Sequence, residues 1–276
     1  MTINCKGNLI DLSVPKVMGI LNVTPDSFFD GGRFDSDGAL LAQTEKMLSE
    51  GAHFIDVGGY SSKPGAALVT EADEINRVVP AIRSILKHFP DALISVDTFR
   101  SRVAEAAVAS GAAIVNDISA GNLDPDMMPT VANLRVPYIM MHMKGDPKTM
   151  QGLALYDNIS REVVFYFSEK VAEARRHGIS DLIIDPGFGF AKTLPQNYEL
   201  LRESDRLQFL NLPILVGISR KSMIYKALNI SNTDALNGTT VLNTMALTKG
   251  ANILRVHDVK EAVEAIALFN LASPKN

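Results

Sequence analysis

One cysteine, Cys5, occurs in the 276 residues. An internal disulfide needs two and a cysteine-based zinc site needs more, so both are excluded, and a reducing compartment is the expected setting. The chain also lacks a surplus of either charge: 27 Lys and Arg against 31 Asp and Glu give −4. A general nucleic-acid binder neutralises phosphates with clustered cations, which this balance does not supply, although a single cationic pocket for a small anion is compatible with it. No apolar run approaches the length of a membrane span, and the opening Met-Thr-Ile-Asn-Cys-Lys-Gly has no basic stretch followed by an apolar core. A cytoplasmic protein is expected, with neither nucleic acid nor membrane as partner. Hydrophobic residues at 46% and charged residues at 21% exclude a disordered chain. No linker-like stretch, low-complexity segment or charge block interrupts the sequence, so a single domain over 1–276 is expected.

What is present is a recurring unit: a short apolar run, a polar or glycine-rich turn, then a segment of helical period. The strand-like runs are Lys16–Leu21, His53–Val57, Leu93–Asp97, Ala113–Asn116, Tyr138–Met141, Leu182–Asp185, Ile214–Gly217 and Ile253–Val256. Most are continuously apolar, as parallel strands covered by helices are. Between them, Ile75, Val78, Val79, Ile82, Ile85, Leu86 and Phe89 form one helical stripe, and Ile159, Val163, Phe167, Val171 and Ala174 another. Thr70 is placed to cap the first of these helices, and Asp258-Val-Lys-Glu261 reads as a capping box for the last. Gly51, Gly111, Gly178 and Gly250 stand where left-handed helix ends are wanted. Eight such units in one chain predict an α/β fold, a single (β/α)8 TIM barrel with long βα loops 1 and 2. The competing doubly wound sheet has fewer strands, and no run here is followed by G-x-G-x-x-G opening a helix.

A barrel carries its chemistry at the C-terminal ends of its strands. Those ends read Asn22, Asp56, Asp97, Asn116, Met141, Asp185, Lys221, Arg255 and His257. Asp97, Asn116 and Asp185 form a floor able to accept from and donate to the edge of a planar ligand; alternatively the acids cap helices or pair with Arg and Lys. Arg255 and His257, beside Ser219-Arg-Lys-Ser222, suit an anion between the last two strands, with a helix starting near Ser222; the competing reading is a surface ion-pair cluster. Asp185-Pro-Gly-Phe-Gly-Phe190 allows close backbone approach and a ring against a flat ligand, or a tight turn with a core Phe. Two stretches, Asn22–Ser36 and Gly58–Val69, exceed a tight turn and read as binding loops, with Phe28 and Phe29 in need of a partner. His53 and His142 read as satisfied structural residues, and His88 and His177 as cations at helix C-termini. H-E-x-x-H, P-loop and G-x-S-x-G patterns are missing.

Taken together, Asn22-Val-Thr-Pro-Asp-Ser-Phe-Phe-Asp-Gly-Gly, Asp56-Val-Gly-Gly, Lys63-Pro-Gly-Ala, Ser95-Val-Asp-Thr, Asn116-Asp-Ile, Asp185-Pro-Gly-Phe-Gly-Phe, Ser219-Arg-Lys-Ser and Arg255-Val-His-Asp resemble the dihydropteroate synthase family, in order and over nearly the whole chain. The resemblance implies condensation of 6-hydroxymethyl-7,8-dihydropterin pyrophosphate with p-aminobenzoate, in a homodimer that sulfonamides target. It implies a pterin pocket of Asp97, Asn116 and Asp185 with Met141, Phe190 and Lys221 against the ring. It implies a pyrophosphate and Mg²⁺ site at Arg255, His257 and Asn22, with Asn22 as the metal ligand. Ser222 would receive the aminobenzoate carboxylate beside Phe28, Ser62, Lys63 and Pro64, and Asp35 would stabilise a developing cation; Asp35, Lys221 and Arg255 are the implied catalytic residues. The two loops would order after the pyrophosphate substrate binds. The second loop departs from the family: Gly59-Tyr-Ser-Ser-Lys-Pro64 stands where many members have Glu-Ser-Thr-Arg-Pro after the glycine, and Lys63 lacks the arginine fork. A methyltransferase barrel using methyltetrahydrofolate would share the acid floor without needing the anion site, and a barrel that binds pterin without turnover is the non-enzymatic alternative.

Overall fold

The computed structural model describes residues 1–24, 33–60 and 69–273, less the side chains of 33–36 and 151. The first strands, β1 (Thr2–Cys5) and β2 (Asn8–Asp11), form an antiparallel hairpin about Lys6 and Gly7, both at positive φ. The barrel strands follow: β3 (Lys16–Asn22), β4 (Phe54–Gly58), β5 (Ile94–Asp97), β6 (Ile114–Asp117), β7 (Tyr138–Met141), β8 (Leu182–Asp185), β9 (Leu215–Val216) and β10 (Ile253–Val256). All of these pair in parallel, in the order β8-β7-β6-β5-β4-β3-β10-β9. A parallel bridge between Ile184 and Ile214 brings the two ends together, and Ile184 N–H donates to the Pro213 carbonyl at 3.0 Å. The predicted (β/α)8 barrel is therefore what the chain forms.

Helices cover the outside: α1 (Arg33–Ser49), α2 (Glu71–His88), α3 (Ser101–Ala109), α4 (Met127–Leu134), α5 (Ile159–Arg176), α6 (Leu194–Arg202), α7 (Ser222–Leu228), α8 (Leu236–Thr248) and α9 (Val259–Ala272). Thr70 caps α2 as expected, its hydroxyl accepting from Asp73 N–H at 3.1 Å. Gly51, Gly111, Gly178 and Gly250 all have φ between +90° and +110°. The capping box expected at Asp258 does not form. Its carboxylate turns away from α9 to pair with Arg220 at 2.8 and 2.9 Å, a fork that outcompetes a single helix N–H.

Two features of the strands prepare the site. Side chains alternate across a strand, so residues two apart share a face. Met18, Phe54, Ile114, Ile139, Ile183, Leu215 and Ile253 pack with Ile3, Cys5 and Leu12 in one apolar cluster. Two residues further along the same strands come Asp56, Asn116, Met141, Asp185 and Arg255. The interior thus passes from an apolar layer to a polar one within a single step. The hairpin, absent from the sequence expectations, supplies Ile3 and Cys5 to the apolar layer from its inward face.

Ile3→Ala removes a side chain that is 1% exposed and should lower unfolding stability by about 2–5 kcal/mol in urea titration. Because the apolar layer lies away from the polar strand ends, ligand affinity should stay within about twofold. A loss of affinity as large as the loss of stability would show that the hairpin shapes the site.

Candidate active site

Arg255, on β10, reaches into the polar layer and meets acids from two other strands. Its Nε donates to Asp56 Oδ2 at 2.6 Å and its Nη2 to Asp97 Oδ2 at 2.6 Å. Asn116 Nδ2 donates to the same Asp56 oxygen at 3.0 Å. Strands β4, β5, β6 and β10 are therefore tied by one charge network. Asp56 is fully buried and Asp97 nearly so. The second oxygen of each acid, and the Ser95 hydroxyl, have no hydrogen-bond partner among the described residues. Buried acceptors of this kind are rare in native structures and point to a missing donor.

Burial pushes the Asp97 carboxyl up to about 7, against the opposing pull of Arg255, and Asp56 adds to the rise. Arg255 moves upward from its ordinary value: burial alone would lower it, and the two carboxylates outweigh that. The network thus holds its cation firmly and its second negative charge loosely.

The other side of the pocket comes from the β8 turn. Asp185 Oδ1 accepts from Gly187 N–H at 2.8 Å. Gly187 has φ +68°, and a Cβ there would stand 2.1 Å from the His142 carbonyl, so only glycine fits. Lys221, the residue before α7, donates its Nζ to the Phe188 carbonyl at 2.7 Å and lies 4.8 Å from the Phe190 ring centroid. Burial lowers the Lys221 amine to about 8, with Asp185 opposing the fall. Burial raises Asp185, and Lys221 is the main counterweight. Met141 and Met143 cluster with Ile118 and Ala191, and Phe190 packs beside them. A flat ligand with donors along one edge and an acceptor toward Lys221 is what these groups can hold.

The expected floor of Asp97, Asn116 and Asp185 is thus assembled with Met141, Phe190 and Lys221. Asn22 is exposed at the end of β3, and its Oδ1 and the Asp97 Cβ both lie 3.5 Å from where a Cβ on Gly58 would be. His257 is exposed, with Nδ1 3.0 Å from Ser219 Oγ. Ser222 is the first residue of α7, next to Lys221. Arg255 stands on the floor itself, with two of its nitrogens on carboxylates, where the sequence reading gave it to a phosphate. Phe28, Ser62, Lys63 and Pro64 lie outside the described residues, as does the side chain of Asp35. Two residues escaped the sequence reading. Asp56 was visible as a polar strand end, but its hub role depends on partners 60 and 199 residues away. Lys192 is nearly fully buried under the β8 turn and left no pattern to detect.

Residues 18–257 match the family described as pterin binding enzyme. The chain is 44% identical over 268 residues to the dihydropteroate synthase of Escherichia coli (strain K12), covering 96% of this chain and 94% of that protein. The structure superposes on Yersinia pestis dihydropteroate synthase in a sulfonamide drug complex with a TM-score of 0.92, at 41% identity and 99% coverage of both chains. It also superposes on the Xanthomonas albilineans dihydropteroate synthase in complex with 7,8-dihydropteroate, with a TM-score of 0.89, 36% identity, and coverage of 99% and 100%.

A carboxyl raised to about 7 binds a proton in the folded state that the unfolded chain, with its ordinary value of 3.8, has already released. Its contribution to stability is complete below about pH 4 and is lost as the pH rises through about 7. Wild-type unfolding free energy should therefore fall more steeply over that window than that of Asp97→Asn. Parallel curves in denaturant titrations at stepped pH would contradict the assignment.

Proposed function

The chain belongs to the dihydropteroate synthases within the pterin-binding enzymes, and we propose on that premise that it joins 6-hydroxymethyl-7,8-dihydropterin pyrophosphate to p-aminobenzoate, releasing 7,8-dihydropteroate and pyrophosphate. The observation that carries this reading is the layer of strand-end groups, in which buried carboxylate oxygens on Asp56 and Asp97 have no partner among the described residues and Arg255 and Lys221 interact electrostatically with Asp97 and Asp185. The N–H edge of a pterin supplies the donors those acids lack. Lys221 faces the ring's acceptors, and Phe190 and Met141 cover the ring.

The chemistry is displacement at the exocyclic methylene. The C–O bond to pyrophosphate breaks with its electron pair leaving on oxygen, and the aminobenzoate nitrogen forms the new C–N bond and gives up a proton. The electron-rich ring shares the positive charge that develops, so the protein's task is to hold the ring and neutralise the leaving group. His257, just past β10, is assigned to the anion together with Arg255, which would reach it from its place on the floor, and Asp35 is assigned to the developing cation. Among the described residues no group of three or more His, Cys, Asp and Glu could hold a metal. Mg²⁺ does not need one, since it keeps waters and takes substrate phosphates with one or two protein oxygens, and the exposed amide oxygen of Asn22 suits that role. When bound, Mg²⁺ supplies charge neutralisation at the pyrophosphate. Ser222 receives the aminobenzoate carboxylate, with Phe28, Ser62, Lys63 and Pro64 completing that subsite.

A homodimer and a cytoplasmic location belong to the same reading. Leu228, Val241, Met245, Leu268 and Leu271 are exposed on α7, α8 and α9, and a second copy docking on those helices would bury them. The lone buried Cys5 suits a reducing compartment, and among the described residues no helix is long and apolar enough to cross a membrane.

Turnover with both substrates tests the proposal. Pyrophosphate release should require p-aminobenzoate, and a sulfonamide should inhibit competitively against it. Methyl transfer from methyltetrahydrofolate, or pterin binding without release of pyrophosphate, would replace this reading by one of its alternatives.

A further inference from the structure

Beneath the pocket lies an amine that the reaction does not use. Lys192, just before α6, is 5% exposed. Its Nζ is 2.9 Å from the Gly187 carbonyl, 2.9 Å from the Phe190 carbonyl and 3.0 Å from His142 Nδ1, with the His142 carbonyl at 3.4 Å. His142 follows β7, so the amine joins the β8 turn to the neighbouring strand end. The same turn carries two pocket contacts: Gly187 N–H holds the Asp185 carboxylate, and the Phe188 carbonyl receives Lys221. Ala191, beside Lys192, sits at φ +47°, a conformation an L side chain avoids unless its surroundings impose it. Tyr156 OH donates to the Ala191 carbonyl at 3.0 Å, and Asn197 Oδ1 accepts from Gly189 N–H at 2.6 Å. The turn is thus gathered around one nitrogen.

We propose that Lys192 is a positioning residue for the pterin pocket: its ammonium, without touching substrate, ties the Gly187–Ala191 turn to His142 and so fixes Asp185 and the carbonyl that orients Lys221. The proposal rests on the pterin reading above. An ammonium has three N–H donors, and three acceptors lie within 3.0 Å. This requires His142 to be neutral, with its proton on Nε2. A neutral amine has two N–H donors for the two carbonyls and would have to accept from an Nδ1–H, so the tautomer of His142 distinguishes the two states. Burial, with Lys192 and Lys144 adding to it, holds His142 well below the usual imidazole range. Burial holds Lys192 well below the usual lysine range, with Asp185 pulling it up and Lys221 and Lys144 adding to the fall, and the three close acceptors are what favour the protonated amine. The rings around His142 belong to Tyr156, Tyr166 and Phe167.

The test uses 6-hydroxymethylpterin as the calorimetric probe, with steady-state kinetics alongside. In Lys192→Met, pterin affinity should fall and KM for the pterin substrate rise at least about tenfold, since an ångström of misplacement costs up to about 100-fold. KM for p-aminobenzoate at saturating pterin should change less than about twofold, and Lys192→Arg should restore part of the pterin affinity. Equal changes in both KM values, or wild-type pterin affinity in Lys192→Met, would overturn the proposal. Absence of probe binding to wild type would overturn the pterin reading and the proposal together. If Lys192→Met does not fold, ¹⁵N-histidine NMR of the wild-type protein decides, with His142 identified through His142→Gln. An unprotonated Nδ1 across neutral pH supports the ammonium strut, and a protonated Nδ1 overturns it.

Discussion

A guanidinium drawn into a barrel interior is stable only where its charge is matched, because the effective cost of taking each ion from water is several kcal/mol. Arg255 meets this condition through two carboxylates, Asp56 and Asp97, both at 2.6 Å. That pairing dictates much around it. The acids must come from strands whose ends face inward at the same height as β10. The parallel register places Gly58 beside Asp97 and Asp97 beside Asn116, with Asp56 two residues back from Gly58 on the same face. The strand interior below must be apolar and well filled, which the hairpin completes. The result is a rigid acidic and amide edge whose remaining acceptors are oriented before any ligand arrives.

The opposite edge of the pocket is built by different means. Its groups stand on the β8 turn, where the backbone departs from ordinary conformations at Gly187, Gly189 and Ala191. Such a turn is maintained by hydrogen bonds to its own carbonyls, from Lys192 within and Lys221 across the pocket. One edge is therefore held by an ion network between strands and the other by amines solvated with backbone carbonyls.

Most of the barrel was legible because its signals are local. Apolar runs such as Tyr138–Met141 and Leu182–Asp185 have one physical reading once helices flank them, and polar residues closing such runs cannot belong to the core. Asp97, Asn116 and Asp185 are picked out from the sequence on that ground, and the structure places all three at inner strand ends. What escaped depends on distance along the chain. Asp56 looked like any other strand end until Arg255, 199 residues away, was seen to use it. Asp258 had the spacing of a helix cap, but Arg220, 38 residues away, offered it two donors in place of one. Lys192 contacts backbone carbonyls, which every residue possesses, and its side-chain partner His142 lies 50 residues away, so no local pattern marks it. The β1–β2 hairpin is only two short strands, and their alternation is too brief to rise above background.

The central claim is that Asp56 and Arg255 act as one unit in shaping the pocket floor. A double-mutant cycle on 6-hydroxymethylpterin affinity, over Asp56→Asn and Arg255→Met, measures it most directly. Each single variant should lose about tenfold or more, and the double variant should be no weaker than the weaker single, a coupling of at least about 1.4 kcal/mol. Losses that simply add would show that the two residues act on the ligand independently, and that the ion pair is incidental to the site.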